Sequence, residues 1–317
     1  MALALVPDQI SRVRATDFTQ DLDLLDDEVW RLLDCAAGIK QAPGRYAQAL
    51  SGKSVALLFE KPSLRTRMTF ELAIKQMGGQ TVFSEGLIGA REPIKDVARN
   101  LERWVHAIVA RTFSQATIDE LALWSSAPVI NALSDLYHPC QALSDVFTIS
   151  EVFGDLHGKK LAFVGDGNNV AHSLMLTAAR LGMDFAIAGP SGYQPDAEIV
   201  ARATRIAAAA GSTLTVTTDP AEAVRGAHAV YTDVWASMGQ EAEAAHRRSV
   251  FSSYQVNETL FDLARPDAIF LHCLPAKRGE EVTDAIMEHP RSRVFDQAEN
   301  RLHAQKALLL EVLGARC

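Results

Sequence analysis

The chain has 317 residues, of which 48% are hydrophobic and 22% are charged, a composition typical of a folded globular protein and unlike that of a disordered one. Its 31 Lys and Arg residues against 39 Asp and Glu residues give a formal net charge of −8, which disfavours general nucleic-acid binding. No apolar run approaches the ~18 residues needed to span a bilayer, and the N-terminus does not resemble a signal peptide. We therefore expect a cytoplasmic protein with no membrane and no nucleic-acid partner.

The first half of the chain alternates short apolar runs, typical of strands, with segments of helical periodicity. The predicted strands are Val55–Phe59, Thr81–Phe83, Ala107–Ala110 and Pro128–Asn131. The predicted helices between them are Thr66–Met77, Pro93–Trp104 and Gln115–Trp124. A helical stretch over Gln141–Phe153 then leads into the second half, and we place the domain boundary there.

The second half has a clearer strand–helix rhythm. Its predicted strands are Lys160–Asp166, Asp184–Ala188, Thr213–Thr217, His228–Asp233 and Ala268–His272, with helices over Val170–Leu181 and Asp196–Ala210. A last strand end is predicted at Val294-Phe295, and a helix over Asn300–Leu313. Nearly continuous apolar strands that alternate with helices indicate parallel sheets covered on both faces.

These elements predict an α/β fold with two doubly wound parallel-sheet domains and an active-site cleft between them. The first domain comprises residues 1–141, joined by a C-terminal helix at about 300–317 that packs back on it, and the second comprises residues 142–299. Ligands of such folds bind beyond the carboxyl ends of the strands.

The loop after the first strand, Glu60–Arg67, has the features of an anion site. Ser63 can cap the following helix, whose first N–H groups lack backbone partners, and two arginines stand beside it. Because successive helical residues turn by about 100°, Arg65 and Arg67 point in nearly opposite directions. We expect Arg65 to meet the anion and Arg67 to support the loop or form an ion pair. A plain cap with two solvated arginines is the alternative.

Other polar residues also follow predicted strands, although each is a weak signal alone. Arg111 follows the third strand, and His138, which can donate a hydrogen bond or take a proton, follows the fourth. Gly165-Asp166-Gly167-Asn168-Asn169 follows the fifth strand and opens a helix. A nicotinamide-binding turn is disfavoured there, because Val170 occupies the position of the third glycine and the acidic residue after the next strand is missing.

Two further strand ends carry residues suited to an amine substrate. Asp233 could hold an ammonium group, with Ser237 completing the pocket, or it could merely cap a turn. Cys273 could hydrogen-bond, accept a proton or act as a nucleophile, or be an ordinary small buried residue. Arg301 supplies one more positive charge near the end of the chain.

The order of these motifs resembles that of the ornithine carbamoyltransferases over nearly the whole chain. The segments that carry the resemblance are Phe59–Arg67 (FEKPSLRTR), His138–Gln141 (HPCQ), Asp233–Gly239 (DVWASMG), His272–Pro275 (HCLP) and Ala298–Arg301 (AENR). The first two are shared with aspartate carbamoyltransferases, whereas the Ser-Met-Gly and His-Cys-Leu-Pro segments point to ornithine.

The resemblance implies transfer of the carbamoyl group from carbamoyl phosphate to the δ-amine of L-ornithine, giving L-citrulline and phosphate. It implies a carbamoyl-phosphate site formed by Ser63, Leu64 through its backbone, Arg65, Thr66, Arg111, His138, Gln141, Cys273, Leu274 and Arg301. It implies an ornithine site formed by Asn169, Asp233, Ser237 and Met238. The catalytic residues would be Arg111, His138 and Cys273, the last as proton acceptor or as a group that orients the amine.

The resemblance further implies a homotrimer, or a multiple of trimers, with each site near a subunit boundary. We expect no cofactor and no metal ion. Two positions depart from the family pattern: Leu64 replaces a common threonine, and Leu87 stands where relatives often carry a glutamine that reaches the neighbouring subunit's site. The alternatives are transfer to another amine, such as N-acylornithine, putrescine or aspartate, a nicotinamide-dependent oxidoreductase, or a non-catalytic carbamoyl-phosphate sensor.

Overall fold

The computed structural model describes residues 17–236 and 241–315 of the chain. The strands in these ranges are β1 Ser54–Phe59, β2 Gln80–Glu85, β3 Ala107–Arg111, β4 Val129–Leu133, β5 Lys160–Val164, β6 Asp184–Ala188, β7 Leu214–Thr217, β8 Ala229–Thr232 and β9 Ile269–His272. The α-helices are α1 Asp26–Gln41, α2 Leu64–Gln76, α3 Ile94–Leu101, α4 Gln115–Trp124, α5 Pro139–Phe153, α6 Asn169–Arg180, α7 Ala197–Ala210, α8 Pro220–Val224, α9 Ala244–Phe251, α10 Glu258–Phe261, α11 Asp284–Met287 and α12 Val294–Val312. Short 3₁₀-helices cover Pro43–Tyr46, Glu241–Glu243 and Ser252–Tyr254.

The strands form two sheets in which every pair is parallel. The first has the order β2-β1-β3-β4 and the second the order β7-β6-β5-β8-β9. Parallel neighbours need crossover connections, which the helices supply on both faces. The predicted fold class, with two doubly wound parallel-sheet domains, is therefore confirmed.

The central strands of each sheet are buried on both faces, as their nearly continuous apolar runs predict, whereas the edge strands β2 and β7 are partly exposed. Val55 and Leu57 of β1 pack in one large core together with Phe163 of β5, so the inner layers of the two sheets belong to a common apolar cluster. Because side chains alternate along a strand, the next residues, Leu58 and Val164, face separate clusters on the outer layers. Helices α5, α6 and α12 contribute to the common core and join the two sheets.

The strand order places two crevices where ligands bind in folds of this kind. In the first sheet β1 lies between β2 and β3, so the order reverses between the carboxyl ends of β1 and β3. In the second sheet the order reverses between β5 and β8. Glu60, Arg111, Gly165 and Asp233 therefore stand at, or directly after, these two switch points.

The end of the chain differs from its prediction. No strand forms at Val294-Phe295. Helix α12 begins at Val294, six residues before the predicted start at Asn300, and runs to Val312. Two apolar residues are too few to define a strand. Here they form the start of a helix, in which Val294 is buried and Phe295 is 64% exposed. As predicted, α12 packs back against the first half, where it contacts α1, α2 and α5.

Helix α5 runs through the predicted domain boundary at residues 141 and 142, and the assignment of its residues to one domain or the other stays a prediction. In the ranges 17–236 and 241–315, no helix combines the length and the apolar character that a membrane crossing requires.

Helix α12 should contribute strongly to stability, because its buried face fills the common core. Leu308 is 0% exposed, and we expect Leu308→Ala to lower the free energy of unfolding by about 2–5 kcal/mol through the cavity it leaves. Urea denaturation would measure the loss. Leu123→Ala is the matched control, since Leu123 is 73% exposed and its truncation should change stability by less than about 0.5 kcal/mol. Equal effects of the two substitutions would contradict this assignment of the core.

Candidate active site

The loop between β1 and α2 forms the start of the site. The Ser63 hydroxyl oxygen accepts a hydrogen bond from the Thr66 N–H at 3.3 Å, so Ser63 is the N-cap of α2. The first N–H groups of α2 lack helical partners and face the loop end of the helix, where the macrodipole favours an anion. Arg67 forms the predicted ion pair, with Glu71 at 2.8 Å, and its guanidinium lies 3.6 Å from the centre of the Phe83 ring.

Three arginines from distant parts of the chain interact electrostatically at this end of the first sheet. Burial, followed by the charges of Arg301 and Arg65, lowers the pKa of Arg111 to about 10. Burial likewise lowers the pKa of Arg301, to which the charge of Arg65 adds a further decrease. Nowhere in the described ranges does a carboxylate lie within ion-pair distance of any of the three. The cluster therefore holds three positive charges that no ion pair neutralises, although the more distant Asp145 carboxylate attracts Arg301.

Arg301 reaches the first turn of α2 although it lies 235 residues farther along the chain. Its Nη2 donates to the Thr66 hydroxyl oxygen at 2.6 Å, and both side chains are buried. Helix α12 can present Arg301 there because the helix packs directly against α2. The predicted meeting of Arg301 with the α2 loop is observed, although the arginine comes from the middle of a helix and not from a loop after a strand.

The turn that follows β4 brings His138 and Gln141 to the same cluster. Burial, followed by the charges of Arg301 and Arg111, holds the pKa of His138 well below its usual range, so its imidazole is neutral near pH 7. The backbone N–H of His138 donates to the Ser173 hydroxyl oxygen at 2.9 Å. Gln141, on the first turn of α5, is 1% exposed and donates its amide N–H to Asp145 at 2.7 Å.

Four of these side chains carry a buried polar atom with no hydrogen-bond partner among residues 17–236 and 241–315: Arg111 Nε, His138 Nδ1, Gln141 Oε1 and Arg301 Nε. A buried polar group without a partner costs about 1–3 kcal/mol. Such a concentration in one electropositive place is typical of a site that is completed by its ligand. N–H donors, an amide oxygen and positive charge together suit a small anion that also carries a carbonyl and an amino group.

The second sheet supplies the opposite side of the site. Asn168 caps α6 with its Oδ1 and donates its Nδ2–H to Asp233 Oδ2 at 2.8 Å, so the loops after β5 and β8 are tied together. Asn169 donates to the Ser134 carbonyl at 2.6 Å, which links this loop to the one after β4. A Cβ on Gly167 would lie 2.2 Å from the Pro195 nitrogen, so the glycine is required by the close approach of the loop that follows β6.

Cys273 and Asp233 are in direct contact. The Cys273 thiol donates to Asp233 Oδ1 at 3.0 Å, and burial together with the nearby Asp233 raises the pKa of the thiol well above its usual range. The thiol therefore stays protonated near pH 7, which favours the hydrogen-bonding role over the nucleophilic one. The next residue, Leu274, has a φ of +60°, a conformation that costs a branched residue about 1–2 kcal/mol and is common at functional sites.

Metal-ligating atoms of Asp233, His272 and Cys273 lie within 4.8 Å of one another. Both ring nitrogens of His272 are already engaged, since Nδ1 accepts from the Leu274 N–H at 2.9 Å and Nε2 lies 3.2 Å from Glu281 Oε1. Because His272 has no free lone pair to offer, the three residues are poorly suited to binding a metal ion. His272 is better suited to holding the turn at Cys273 in place.

The structure thus brings together the predicted residues Ser63, Leu64, Arg65, Thr66, Arg111, His138, Gln141 and Arg301 on one side, and Asn169, Asp233, Cys273 and Leu274 on the other. Leu64 is the first residue of α2, and its side chain is 71% exposed. Ser237 and Met238 lie outside the described residues. Sequence reasoning missed Asp145 and Gln297, although the spacing of four residues between Gln141 and Asp145 on a predicted helix was a usable signal.

The chain is similar to known proteins over nearly its full length. Residues 16–151 match the family described as aspartate/ornithine carbamoyltransferase, carbamoyl-P binding domain, and residues 157–312 match the Asp/Orn binding domain of the same family. An ornithine carbamoyltransferase of Gloeobacter violaceus is 50% identical over 309 residues, 95% of this chain and 98% of that protein. One of Acidothermus cellulolyticus is 52% identical over 303 residues, 94% of this chain and 96% of that protein.

Solved structures agree with the sequence relatives. The ornithine carbamoyltransferase from Pyrococcus furiosus superposes with a TM-score of 0.93 at 46% identity, covering 97% of this chain and 100% of its own. An acetylornithine transcarbamylase complexed with acetylcitrulline superposes with a TM-score of 0.84 at 33% identity, covering 92% of this chain and 98% of its own.

An anion in this site should stabilise the folded protein, because it would relieve the repulsion among the three arginines. We expect inorganic phosphate to raise the thermal unfolding midpoint, with a gain of about 2.7 kcal/mol at one hundred times the dissociation constant. Arg65→Ala should remove most of this gain, whereas Arg278→Ala, which alters an exposed arginine paired with Asp284 and Glu288, should keep it. Differential scanning fluorimetry with and without phosphate would measure the shifts. Equal gains in both variants would show that phosphate binds elsewhere.

Proposed function

We propose that this chain, which belongs to the aspartate/ornithine carbamoyltransferase family, transfers the carbamoyl group of carbamoyl phosphate to the δ-amine of L-ornithine, giving L-citrulline and phosphate. The observation that carries the proposal is the buried set of unpartnered polar atoms on Arg111, His138, Gln141 and Arg301, next to the Cys273–Asp233 pair. The near-complete similarity to proteins named ornithine carbamoyltransferase supports ornithine as the acceptor.

The phosphate of carbamoyl phosphate would lie at the N-terminus of α2. The backbone N–H groups of Leu64 and Arg65, the Ser63 hydroxyl and the Arg65 guanidinium are the donors available there. Arg111 would bridge the phosphate and the carbamoyl oxygen. Because the departing phosphate gains negative charge, these donors stabilise the transition state more than the substrate and lower the barrier.

The carbamoyl group would lie among the buried polar residues beside the phosphate. His138, neutral near pH 7, and Arg301, held by Thr66, can donate to the carbamoyl oxygen as it becomes an oxyanion. The Oε1 of Gln141 can accept from the carbamoyl NH₂. These contacts hold the electrophilic carbon in one orientation, so the amine attacks a fixed target.

Ornithine would approach from the side of the second sheet, where Asn169, Asp233, Ser237 and Met238 form its proposed site. Its δ-amine must be neutral to attack. The new N–C bond forms as the C–O bond to phosphate breaks, and the excess proton of the attacking nitrogen leaves with the phosphate. The protonated Cys273 thiol fixes the orientation of Asp233, and the Leu274 carbonyl can accept a hydrogen bond from the amine or the carbamoyl group.

An acceptor panel tests the reaction. With carbamoyl phosphate as donor, we expect L-ornithine to give equal amounts of citrulline and phosphate, and N-acetylornithine, putrescine and aspartate to give little product. Arg65→Ala should lower the rate by about 10²–10³-fold, because one charge aimed at the leaving group is lost. Colorimetric assays of citrulline and phosphate would measure both. Preference for another amine would overturn the acceptor, and a near-normal rate in Arg65→Ala would overturn the phosphate site.

We also propose a homotrimer, or a multiple of trimers, with each site near a subunit boundary. Three exposed apolar side chains, Leu64, Met68 and Leu72, are spaced four residues apart and share one face of α2. Val82 on β2 is 59% exposed as well. Exposed apolar faces of this kind are typical of contact surfaces, and this one begins at the anion site.

Met68→Glu should disrupt the assembly, because it places a charge in the middle of this apolar face. We expect light scattering coupled to size exclusion to give a trimer for the unaltered chain and mainly monomer for the variant. Val216→Glu is the control, since Val216 is also partly exposed but lies on β7 of the second sheet. A monomeric unaltered chain, or an unaffected Met68→Glu assembly, would contradict the proposed interface.

A cytoplasmic location and a role in arginine biosynthesis complete the proposal. The biosynthetic role is supported by the Pyrococcus furiosus relative, named "Ornithine carbamoyltransferase, anabolic", which is 48% identical over 297 residues.

A further inference from the structure

A buried carboxylate, that of Asp145, lies directly behind the carbamoyl site. Asp145 is 0% exposed and occupies α5 one turn after Gln141. Its Oδ1 accepts two hydrogen bonds, from Gln141 Nε2 at 2.7 Å and from Gln297 Nε2 at 2.6 Å. None of the roles assigned so far uses this group, although burying a carboxylate is expensive unless its hydrogen bonds compensate.

An ionised carboxylate only accepts hydrogen bonds, so it fixes which end of an amide faces it. The NH₂ end of Gln141 must face Asp145, and the carbonyl end must therefore face the other way. That atom, Gln141 Oε1, is buried and has no hydrogen-bond partner within the described ranges, and Arg111, His138 and Arg301 each have such an atom too. Gln141 thus offers the carbamoyl group an acceptor, whereas an amide turned by 180° would offer donors.

The second hydrogen bond orients a second amide in the same way. Because Gln297 gives its NH₂ to Asp145, its Oε1 is free to accept from the backbone N–H of His272 at 2.9 Å. His272 is the residue directly before Cys273, at the end of β9. One carboxylate oxygen therefore sets the orientation of an amide on the carbamoyl side and of an amide that holds the turn on the ornithine side.

We propose that Asp145 is a positioning residue that makes the site selective for an acyl phosphate with an N–H donor, by fixing the Gln141 carbonyl toward the carbamoyl NH₂. The proposal deepens the proposed function and rests on it. Asp145 touches neither substrate in this arrangement and acts through Gln141. Without it, Gln141 could turn its amide, and the site would lose its preference for NH₂ over a group that cannot donate.

Acetyl phosphate provides the probe, because it replaces the carbamoyl NH₂ by a methyl group and keeps the carbonyl and the phosphate. We would measure dissociation constants of both acyl phosphates by calorimetry on the full chain, without ornithine. The unaltered protein should prefer carbamoyl phosphate by about tenfold or more, which corresponds to one hydrogen bond of ordinary net strength. In Asp145→Leu this preference should fall about tenfold, while acetyl phosphate binding changes by less than about threefold.

Two further variants separate positioning from general damage to α5. Asp145→Asn copies the protonated carboxyl, with one acceptor oxygen and a donor that can face Gln141 Oε1, so without leaving a cavity it should lower the preference to the value that the unaltered protein has near pH 6. Thr148→Ala is the matched control: Thr148 is also buried on α5 and hydrogen-bonds to Ser144 and Asn300, not to Gln141. It should leave the preference unchanged even if it lowers the unfolding midpoint.

A pH series on the unaltered protein gives a second measurement that does not depend on whether Asp145→Leu folds. Burial raises the pKa of Asp145 to about 7, against the hydrogen bonds from Gln141, Gln297 and Tyr231 and the charge of Arg301 on α12. Below that pH the protonated carboxyl can donate to Gln141 Oε1, so the preference for carbamoyl phosphate should decrease from about pH 8 to about pH 6.

The other groups that face Asp145 do not titrate in this window. Burial raises the pKa of Tyr231 on β8 and of Cys273 after β9 well above their usual ranges, and Arg301 stays charged. His138 stays neutral because its pKa is held well below its usual range. The two probes share the same phosphate, so its ionisation largely cancels in the ratio.

The outcomes separate the two proposals. A preference that decreases in Asp145→Leu, or with decreasing pH, supports the positioning role. Equal weakening of both ligands in Asp145→Leu with a pH-independent ratio, or no preference in the unaltered protein, overturns it. Normal preference without any citrulline formation from ornithine would overturn the proposed reaction and leave the positioning role of Asp145 standing.

Discussion

The crowding of three guanidinium groups, two of them buried, at one end of the first sheet is the constraint on which the rest of the site depends. Arg111 and Arg301 are less than 10% exposed. After burial itself, the charges of Arg301 and Arg65 lower the pKa of Arg111, and the charge of Arg65 lowers the pKa of Arg301. In the described ranges no carboxylate lies within ion-pair distance of them, and the buried Asp145 carboxylate attracts Arg301 only from farther away. The folded chain therefore contains electrostatic repulsion that a dianionic ligand relieves. The attraction between the arginines and the phosphate increases as the phosphate gains negative charge on leaving. Affinity and rate acceleration have the same physical source.

Holding these charges together requires elements that are far apart in the sequence. The parallel sheets bring the ends of β1 and β3 together, and α12 returns from the second sheet to place Arg301 against Thr66. The large apolar core shared by both sheets, α5, α6 and α12 offsets the unfavourable charge. The position of the site at the junction of the two sheets follows, because only there can both sheets and the returning helix contribute side chains.

Most of the sheet strands could be predicted because parallel strands buried on both faces are nearly continuous apolar runs, and β6 matches its prediction residue for residue. The start of α12 could not be predicted, because the apolar pair Val294-Phe295 is equally typical of a strand end when the tertiary contacts are unknown. The resemblance named most of the residues that the structure brings together at the ends of the two sheets, but it assigned no role to Asp145 or Gln297. Their importance lies in hydrogen bonds across 152 residues of sequence, which no local pattern reveals.

The two sheets are also joined at the other end of the chain, where the N-terminal segment contacts both β4 and α6. Phe18 forms a parallel bridge with Ile130 of β4. Asp21, three residues farther on, is buried against α6, where its carboxylate accepts hydrogen bonds from Ser173 at 2.6 Å and Thr177 at 3.2 Å. Burial raises the pKa of Asp21 to about 6, so these bonds hold a carboxylate near neutral pH. Ser173 in turn accepts from the His138 N–H. Separating α6 from the N-terminal segment would expose a buried charge and release the His138 turn, so this contact ties the N-terminal segment, α6 and the His138 turn into one unit.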